Sequence, residues 1–224
     1  MLKTAGEGDV KISVLGTGMV GHALATKLAA LGHDVMMAGR ERGNEKADAW
    51  AKENKSKAGS FADAGEFGEM IVLATLGSGT LDAVKRAGAD NLKGKVIIDV
   101  TNPLDLSAGF PPTLIDEFAN KTSMAEQLQA AFPDAHIVKA LNTMNCAVMV
   151  DPSRVPGDHD VFYCGNDDAA KAMVVDLLKS FGWTSLVDLG PIEAARGTEG
   201  LMNFWLRMYG VVGNADFNYK IVRA

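Results

Sequence analysis

Short apolar runs alternate with segments of helical spacing along most of the chain. Residues 11–15 read as a first strand, and 19–31 follow as an Ala- and Leu-rich helix that Gly32 ends. A second strand is expected over 33–38, then a helix over 44–54 with Asn44 as its cap. Residues 60–65 read as a short strand and turn, and 70–75 as an apolar strand. The glycines of 76–79 then lead into a helix ending near Arg86. Residues 95–101 form another buried strand, stopped by Asn102-Pro103. The stretch 105–121 has no regular period and contains Gly109-Phe-Pro-Pro112. Ser123 caps a helix to Phe132, and 135–141 is again strand-like. Runs so continuously apolar suit strands covered on both faces.

This alternation predicts an α/β fold, a Rossmann-type doubly wound parallel sheet. Residues 151–157 read as a connector into a smaller unit, with strands over 160–164 and 185–189 and helices over 167–181 and 193–208. The expected organisation is a nucleotide-binding domain over 1–150 and a small C-terminal α/β lobe over 151–224. On the last helix, Phe204, Trp205 and Met208 are spaced as core residues with a share in an interface.

The turn Gly16-Thr17-Gly18-Met19-Val20-Gly21 lies between the first strand and the first helix. Its first glycine suits a tight turn, its second a close approach of the backbone to a pyrophosphate, and its third close packing of helix on strand. The helix N–H groups then face the phosphates. A glycine turn alone is weak; strand, helix and second strand around it make it a dinucleotide fingerprint. The second strand ends in Ala38-Gly39-Arg40-Glu41-Arg42, with no carboxylate placed to accept from a ribose 2′-hydroxyl. A guanidinium there matches a 2′-phosphate, so NADP(H) is expected over NAD(H). Arg42 reads either as a second phosphate contact or as an exposed loop charge.

Ligands of such sheets lie beyond the carboxyl ends of the strands. Thr75-Leu76, Thr101-Asn102-Pro103 and Ala140-Leu141-Asn142-Thr143 are such ends. Leu76 offers an apolar surface to the nicotinamide ring. Asn102 reads either as a partner of a ribose hydroxyl or the carboxamide, or as a turn-forming Asn-Pro. Asn142 reads as a cofactor contact or a strand-end cap. No His, Lys or carboxylate pair marks itself as a general acid or base, so the catalytic residue stays unknown. That fits hydride exchange between two redox cofactors, where the protein supplies orientation.

Composition narrows the classes further. At 224 residues with 47% hydrophobic and 22% charged content, the chain can build a sizeable core. A net charge of −6 argues against a nucleic-acid partner. No apolar run approaches the roughly 20 residues of a membrane helix, and the start, residues 1–10, lacks the apolar region of a secretory signal. A cytoplasmic protein is expected. Cys146 and Cys164 stand in no metal-ligand spacing and read as small buried side chains, with a disulfide or a reactive thiol as the other readings. His22, His33, His136 and His159 are scattered, so no metal site is expected.

The glycine turn with Gly39-Arg40, together with Ile98-Asp-Val-Thr-Asn-Pro103 and the segment 126–143, resembles the NADPH-dependent reductases of coenzyme F420. The pattern is also similar to the cytosolic NADPH domain of the six-transmembrane metalloreductases. The likeness continues through Cys164-Gly-Asn-Asp-Asp168, Asp188-Leu-Gly-Pro191 and Ala195-Arg196. It implies NADP(H) in the cleft, often a homodimer, and hydride passing between NADPH and a deazaflavin stacked on the nicotinamide. By position, Thr17, Arg40, Leu76, Asn102 and Asn142 would line the cofactor side. Two positions depart from the pattern: Gly39, where Ser is frequent, and Asn142, where archaeal deazaflavin reductases carry His. The alternatives are an NADPH-dependent flavin or ferric reductase, a non-catalytic NADPH-sensing module, and a β-hydroxyacid-type dehydrogenase. The last requires a large helical second domain, which 151–224 does not resemble.

Overall fold

The computed structural model describes residues 10–118 and 121–223; the reading made on the start segment 1–9 lies outside them. Strand β1 (Lys11–Leu15) shows how the sheet is built. Ile12 and Val14 enter the core on one face, while Leu15 and Ser13 turn to the other, the Ser13 hydroxyl donating to the Ala64 carbonyl at 2.8 Å. Both faces are therefore covered, as the apolar runs require.

The chain continues through α1 (Met19–Ala30), β2 (Asp34–Gly39), α2 (Glu45–Asn54), β3 (Lys57–Ser60), α3 (Phe61–Phe67), β4 (Met70–Leu73), α4 (Thr80–Ala87), α5 (Ala89–Leu92) and β5 (Val96–Asp99). A small hairpin follows, β6 (Leu104–Asp105) with β7 (Thr113–Leu114), and then α6 (Met124–Ala131) and β8 (His136–Ala140). The last elements are α7 (Cys146–Val150), β9 (Val161–Gly165), α8 (Asp168–Ser180), β10 (Leu186–Asp188) and α9 (Ala195–Val212).

Among the described residues the main sheet has the order β10-β9-β8-β5-β4-β1-β2-β3. All its pairings are parallel except β8 with β9. The strand order reverses between β1 and β4, which places a ligand crevice at their carboxyl ends. The segment after residue 150 contributes β9 and β10 to this same sheet, joined through the antiparallel register Lys139↔Cys164.

Residues 60–65 differ from the strand and turn expected there. The strand ends at Ser60, whose hydroxyl accepts from the Asp63 N–H at 3.2 Å, while the Asp63 carboxylate accepts from the Ser60 N–H at 2.9 Å. This reciprocal capping box starts α3 at once. The stretch 105–121 holds the β6–β7 pair, and α5 and α7 are short helices beyond the expected set. The last helix begins at Ala195 and runs to Val212, ended by Gly213 in the left-handed region at φ +77°. Its Trp205 stacks between Tyr209 and Phe217, Met208 is partly buried, and Phe204 is half exposed. Both cysteines are free thiols. Burial pushes the Cys164 thiol up to about 12, which removes the thiolate that reactivity requires.

Candidate functional site

At the end of β1 the chain turns through Gly16 at φ +127°, a region closed to other residues. A Cβ there would stand 2.3 Å from the Ala74 carbonyl oxygen beyond β4. A Cβ on Gly21 would meet the Gly16 carbonyl oxygen at 2.0 Å, so α1 packs directly on the turn. Gly18 is different: nothing lies within 4 Å of the Cβ position, and the backbone faces open space. Gly18 is also the N-cap of α1, which has no side-chain cap and no acidic residue in its first turn. Its leading N–H groups are thus free for an anion, and a pyrophosphate fits there.

Beside this turn lies a depression of about 570 Å³ lined by Gly16 to Val20, Gly39, Arg40, Asn44, Phe61, Ala74, Thr75, Leu76, Ser78 and Gly79. Arg40 is the ionisable side chain in that lining. It is 67% exposed and stands 3.9 Å from Asp82, so its guanidinium is available to a ligand. Arg42 is placed differently. Its guanidinium donates twice to Asp63, through Nε at 2.8 Å and through a terminal N–H, and it does not line the depression. The Arg42 hydrogen bond, joined by those from Ser60, holds the Asp63 carboxyl well below the usual carboxylate range.

Gly39 has a steric reason. A Cβ there would fall 2.8 Å from the Asn44 Cβ and 2.9 Å from its Nδ2. Asn44 Oδ1 accepts from the Ala47 N–H at 3.2 Å and caps α2, so the amide occupies the space a serine at 39 would need. Asn44 was recognised in the sequence as a cap, not as part of the lining.

Further along the sheet edge, Leu76 is 67% exposed and apolar. Thr75 Oγ1 lies 3.0 Å from Thr80 Oγ1, anchoring the loop onto α4. A Cβ on Gly77 would reach the Asn102 carbonyl oxygen at 2.3 Å, so the loops after β4 and β5 touch. Asn102 and Asn142 form a reciprocal clasp: Asn102 Nδ2 donates to the Asn142 carbonyl at 2.8 Å, and Asn142 Nδ2 donates to Asn102 Oδ1 at 2.9 Å. Leu141, at φ +62°, turns the chain into this clasp. Asn142 Oδ1 and Thr143 Oγ1 are buried with no hydrogen-bond partner among the described residues. Buried polar atoms are normally paired, so these two are unsatisfied groups at the carboxyl end of β8; neither Asn142 nor Thr143, nor Asn102, lines the depression itself. Pro103 is buried behind the clasp, and Ala140 is fully buried within β8, so neither offers a side chain to a ligand.

One cluster escaped the sequence reading. The ammonium of Lys139 lies 3.0 Å from Asp99 Oδ2 and 2.8 Å from Glu199 Oε1, with all three side chains at 0% exposure. Its signal was present but faint: beyond Lys95 and His136 at their starts, the strand stretches 95–101 and 135–141 each carry one further ionisable residue, Asp99 and Lys139, inside an apolar run. A second depression, of about 390 Å³, includes His159 and Trp183. There both His159 nitrogens are engaged, by the Pro152 carbonyl at 3.0 Å and Asn218 Nδ2 at 2.9 Å. Among the described residues no group of three or more His, Cys, Asp or Glu is arranged to hold a metal ion.

Residues 11–103 match the family model of coenzyme F420-dependent NADP oxidoreductases. The F420-dependent NADP reductase of Methanocaldococcus jannaschii is 30% identical over 201 residues, 86% of this chain and 89% of that one. A crystal structure of a candidate F420-dependent NADP-reductase from Arthrobacter sp. FB24 has 47% identity and a TM-score of 0.90, covering 96% of this chain and all of that one. Metalloreductase STEAP3 of Rattus norvegicus is 28% identical over 191 residues, 85% of this chain and 36% of that larger protein.

Proposed function

From a chain that belongs to the family of F420-dependent NADP reductases, and is therefore an NADP-dependent oxidoreductase, we propose a reaction that passes hydride between NADP(H) and a deazaflavin of the F420 kind. The carrying observation is the lining of the crevice: a glycine turn, one guanidinium, and the exposed apolar face of Leu76 beside it. Such a surface binds and orients; it contains no side chain to deliver or remove a proton. When bound, the nicotinamide supplies the hydride chemistry.

The chain's own contributions follow from the geometry. Gly18 and the first N–H groups of α1 bind the pyrophosphate. Arg40 binds the 2′-phosphate, with Asn44 beside it. Leu76 presents an apolar face to the ring and helps exclude water. Asn142 Oδ1 accepts from the carboxamide, because the clasp with Asn102 leaves that atom free.

A flavin or a ferric chelate in place of the deazaflavin is the second reading; the 28% identity with STEAP3, named a metalloreductase, bears on the ferric chelate. Pairing of two copies and a cytoplasmic location belong to the same proposal. Phe204, Val211 and Val212 exposed on α9 favour the pairing; among the described residues no helix is long and apolar enough to cross a membrane. The test is NADPH oxidation followed optically with a deazaflavin, free flavins and ferric chelates as acceptors. Turnover with the deazaflavin supports the first reading. Turnover confined to flavin or ferric chelates establishes the second.

A further inference from the structure

We propose that Asp99, Lys139 and Glu199 form a buried positioning device that holds the Asn102–Asn142 clasp in register through Thr101; this rests on the reading that the clasp receives the nicotinamide end of NADP(H). The three residues come from β5, β8 and α9. In the sheet, Asp99 and Lys139 are register partners and, by the two-residue alternation of each strand, point to the same face.

Each charged group is fully engaged. The Lys139 ammonium donates to Asp99 Oδ2, to Glu199 Oε1 and, at 2.6 Å, to the Thr101 carbonyl. Asp99 Oδ1 accepts from the Thr101 N–H at 2.9 Å and from the Thr101 hydroxyl at 2.7 Å. Glu199 accepts from the first N–H groups of α6, Met124 at 2.9 Å and Ala125 at 3.3 Å. Burial disfavours a charged Lys139, but Asp99 and Glu199 outweigh it and leave its pKa raised. The ammonium therefore persists.

Burying three ionisable side chains is expensive, and burial pushes the Glu199 carboxyl up although Lys139 opposes it; apolar residues of equal volume often serve stability as well or better. What ions supply and apolar packing does not is direction. Here the bonds of Asp99 and Lys139 converge on one residue, Thr101, pinned at its N–H, its hydroxyl and its carbonyl oxygen, while Glu199 ties the cluster to the start of α6. Asn102 follows it directly. On the other strand, Lys139 precedes Asn142 by three residues, across the left-handed Leu141. Both halves of the clasp thus hang from the triad. None of the three side chains reaches the crevice, so they act as positioning residues.

The test compares two ligands by calorimetry: NADP+, and 2′-phospho-ADP-ribose, which lacks the nicotinamide. Their affinity ratio reports the nicotinamide end alone. Lys139→Met and the milder Thr101→Val should each weaken NADP+ by roughly five- to twentyfold, as expected for a displaced hydrogen-bonding clasp. Affinity for 2′-phospho-ADP-ribose should stay within about twofold, because the Arg40 and glycine-turn contacts are untouched. If Lys139→Met does not fold, Thr101→Val decides. Equal weakening of both ligands overturns the proposal and leaves a merely structural triad. Asn142→Ala separates the two layers of argument. If it shifts the ratio while Lys139→Met and Thr101→Val do not, the site reading stands and the positioning role is overturned. If Asn142→Ala also leaves the ratio unchanged, the clasp lies elsewhere and both fall.

Discussion

Arg40→Ala is the perturbation that isolates the 2′-phosphate. Arg40 is 67% exposed, and among the described residues its only carboxylate contact is the 3.9 Å approach to Asp82. Asp82 also pairs with Arg86 Nε at 2.9 Å, so truncating Arg40 leaves no unpaired charge behind. The fold should therefore be unaffected. A hydrogen bond to a charged group is worth about 1.5–3 kcal/mol. At this exposure solvent screening pulls the figure to the lower half, about 1.5–2 kcal/mol. That corresponds to roughly a 10–30-fold rise in the NADPH dissociation constant. NADH, which lacks the phosphate, should change by less than about twofold. Fluorescence titration of the unaltered protein and of Arg40→Ala with both nucleotides is the assay, with thermal melting as the control for folding. Equal weakening of NADPH and NADH, or no change for either, would refute the role given to the guanidinium.

The glycine turn and the C-terminal tail give two further tests. Gly21→Ala places a Cβ 2.0 Å from the Gly16 carbonyl oxygen, so urea unfolding should show a loss of about 1–3 kcal/mol, with NADPH binding weakened in parallel; a variant of unchanged stability would contradict the packing described. For Asp160, burial raises the carboxyl pKa, but hydrogen bonds from Ser185, the Ile221 N–H and Lys220 outweigh it and the net shift is downward. A folded value below the unfolded one means the stabilisation is complete above about pH 4 and lost as pH falls further; the protection factor of the Ile221 amide, whose N–H donates to Asp160 Oδ2 at 2.6 Å, should fall in that acid window and fall less steeply in Asp160→Asn.

What the sequence revealed and what it hid divide along the range of the interactions. The glycine turn was legible because its spacing obeys a local rule within one strand–turn–helix unit, in which Gly21 meets the Gly16 carbonyl and Gly18 meets open space; the Ala74 carbonyl that closes on Gly16 comes from beyond β4 and was not legible. Arg40 was legible because it stands at a fixed distance along that unit. Arg42 was ambiguous, since the Asp63 that captures it arrives on α3, and α3 itself was read as strand and turn despite the capping box at Ser60 and Asp63. The triad was harder. Asp99 and Lys139 are 40 residues apart, and Glu199 a further 60, so the adjacency of β5 and β8 and the placement of α9 bring them together. The Asn102–Asn142 clasp depends on the same adjacency of β5 and β8. Gly39 was visible as a departure from the family, but its cause, the Asn44 amide, needed three dimensions.

The central claim is that a helix start and one guanidinium capture a dinucleotide bearing a 2′-phosphate. Calorimetric titration of the unaltered protein with NADPH and with NADH tests it directly. The account predicts one site per chain, at least about tenfold tighter for NADPH than for NADH, with the preference shrinking as salt rises. Absence of heat with either nucleotide, or equal affinity for the two, would contradict it.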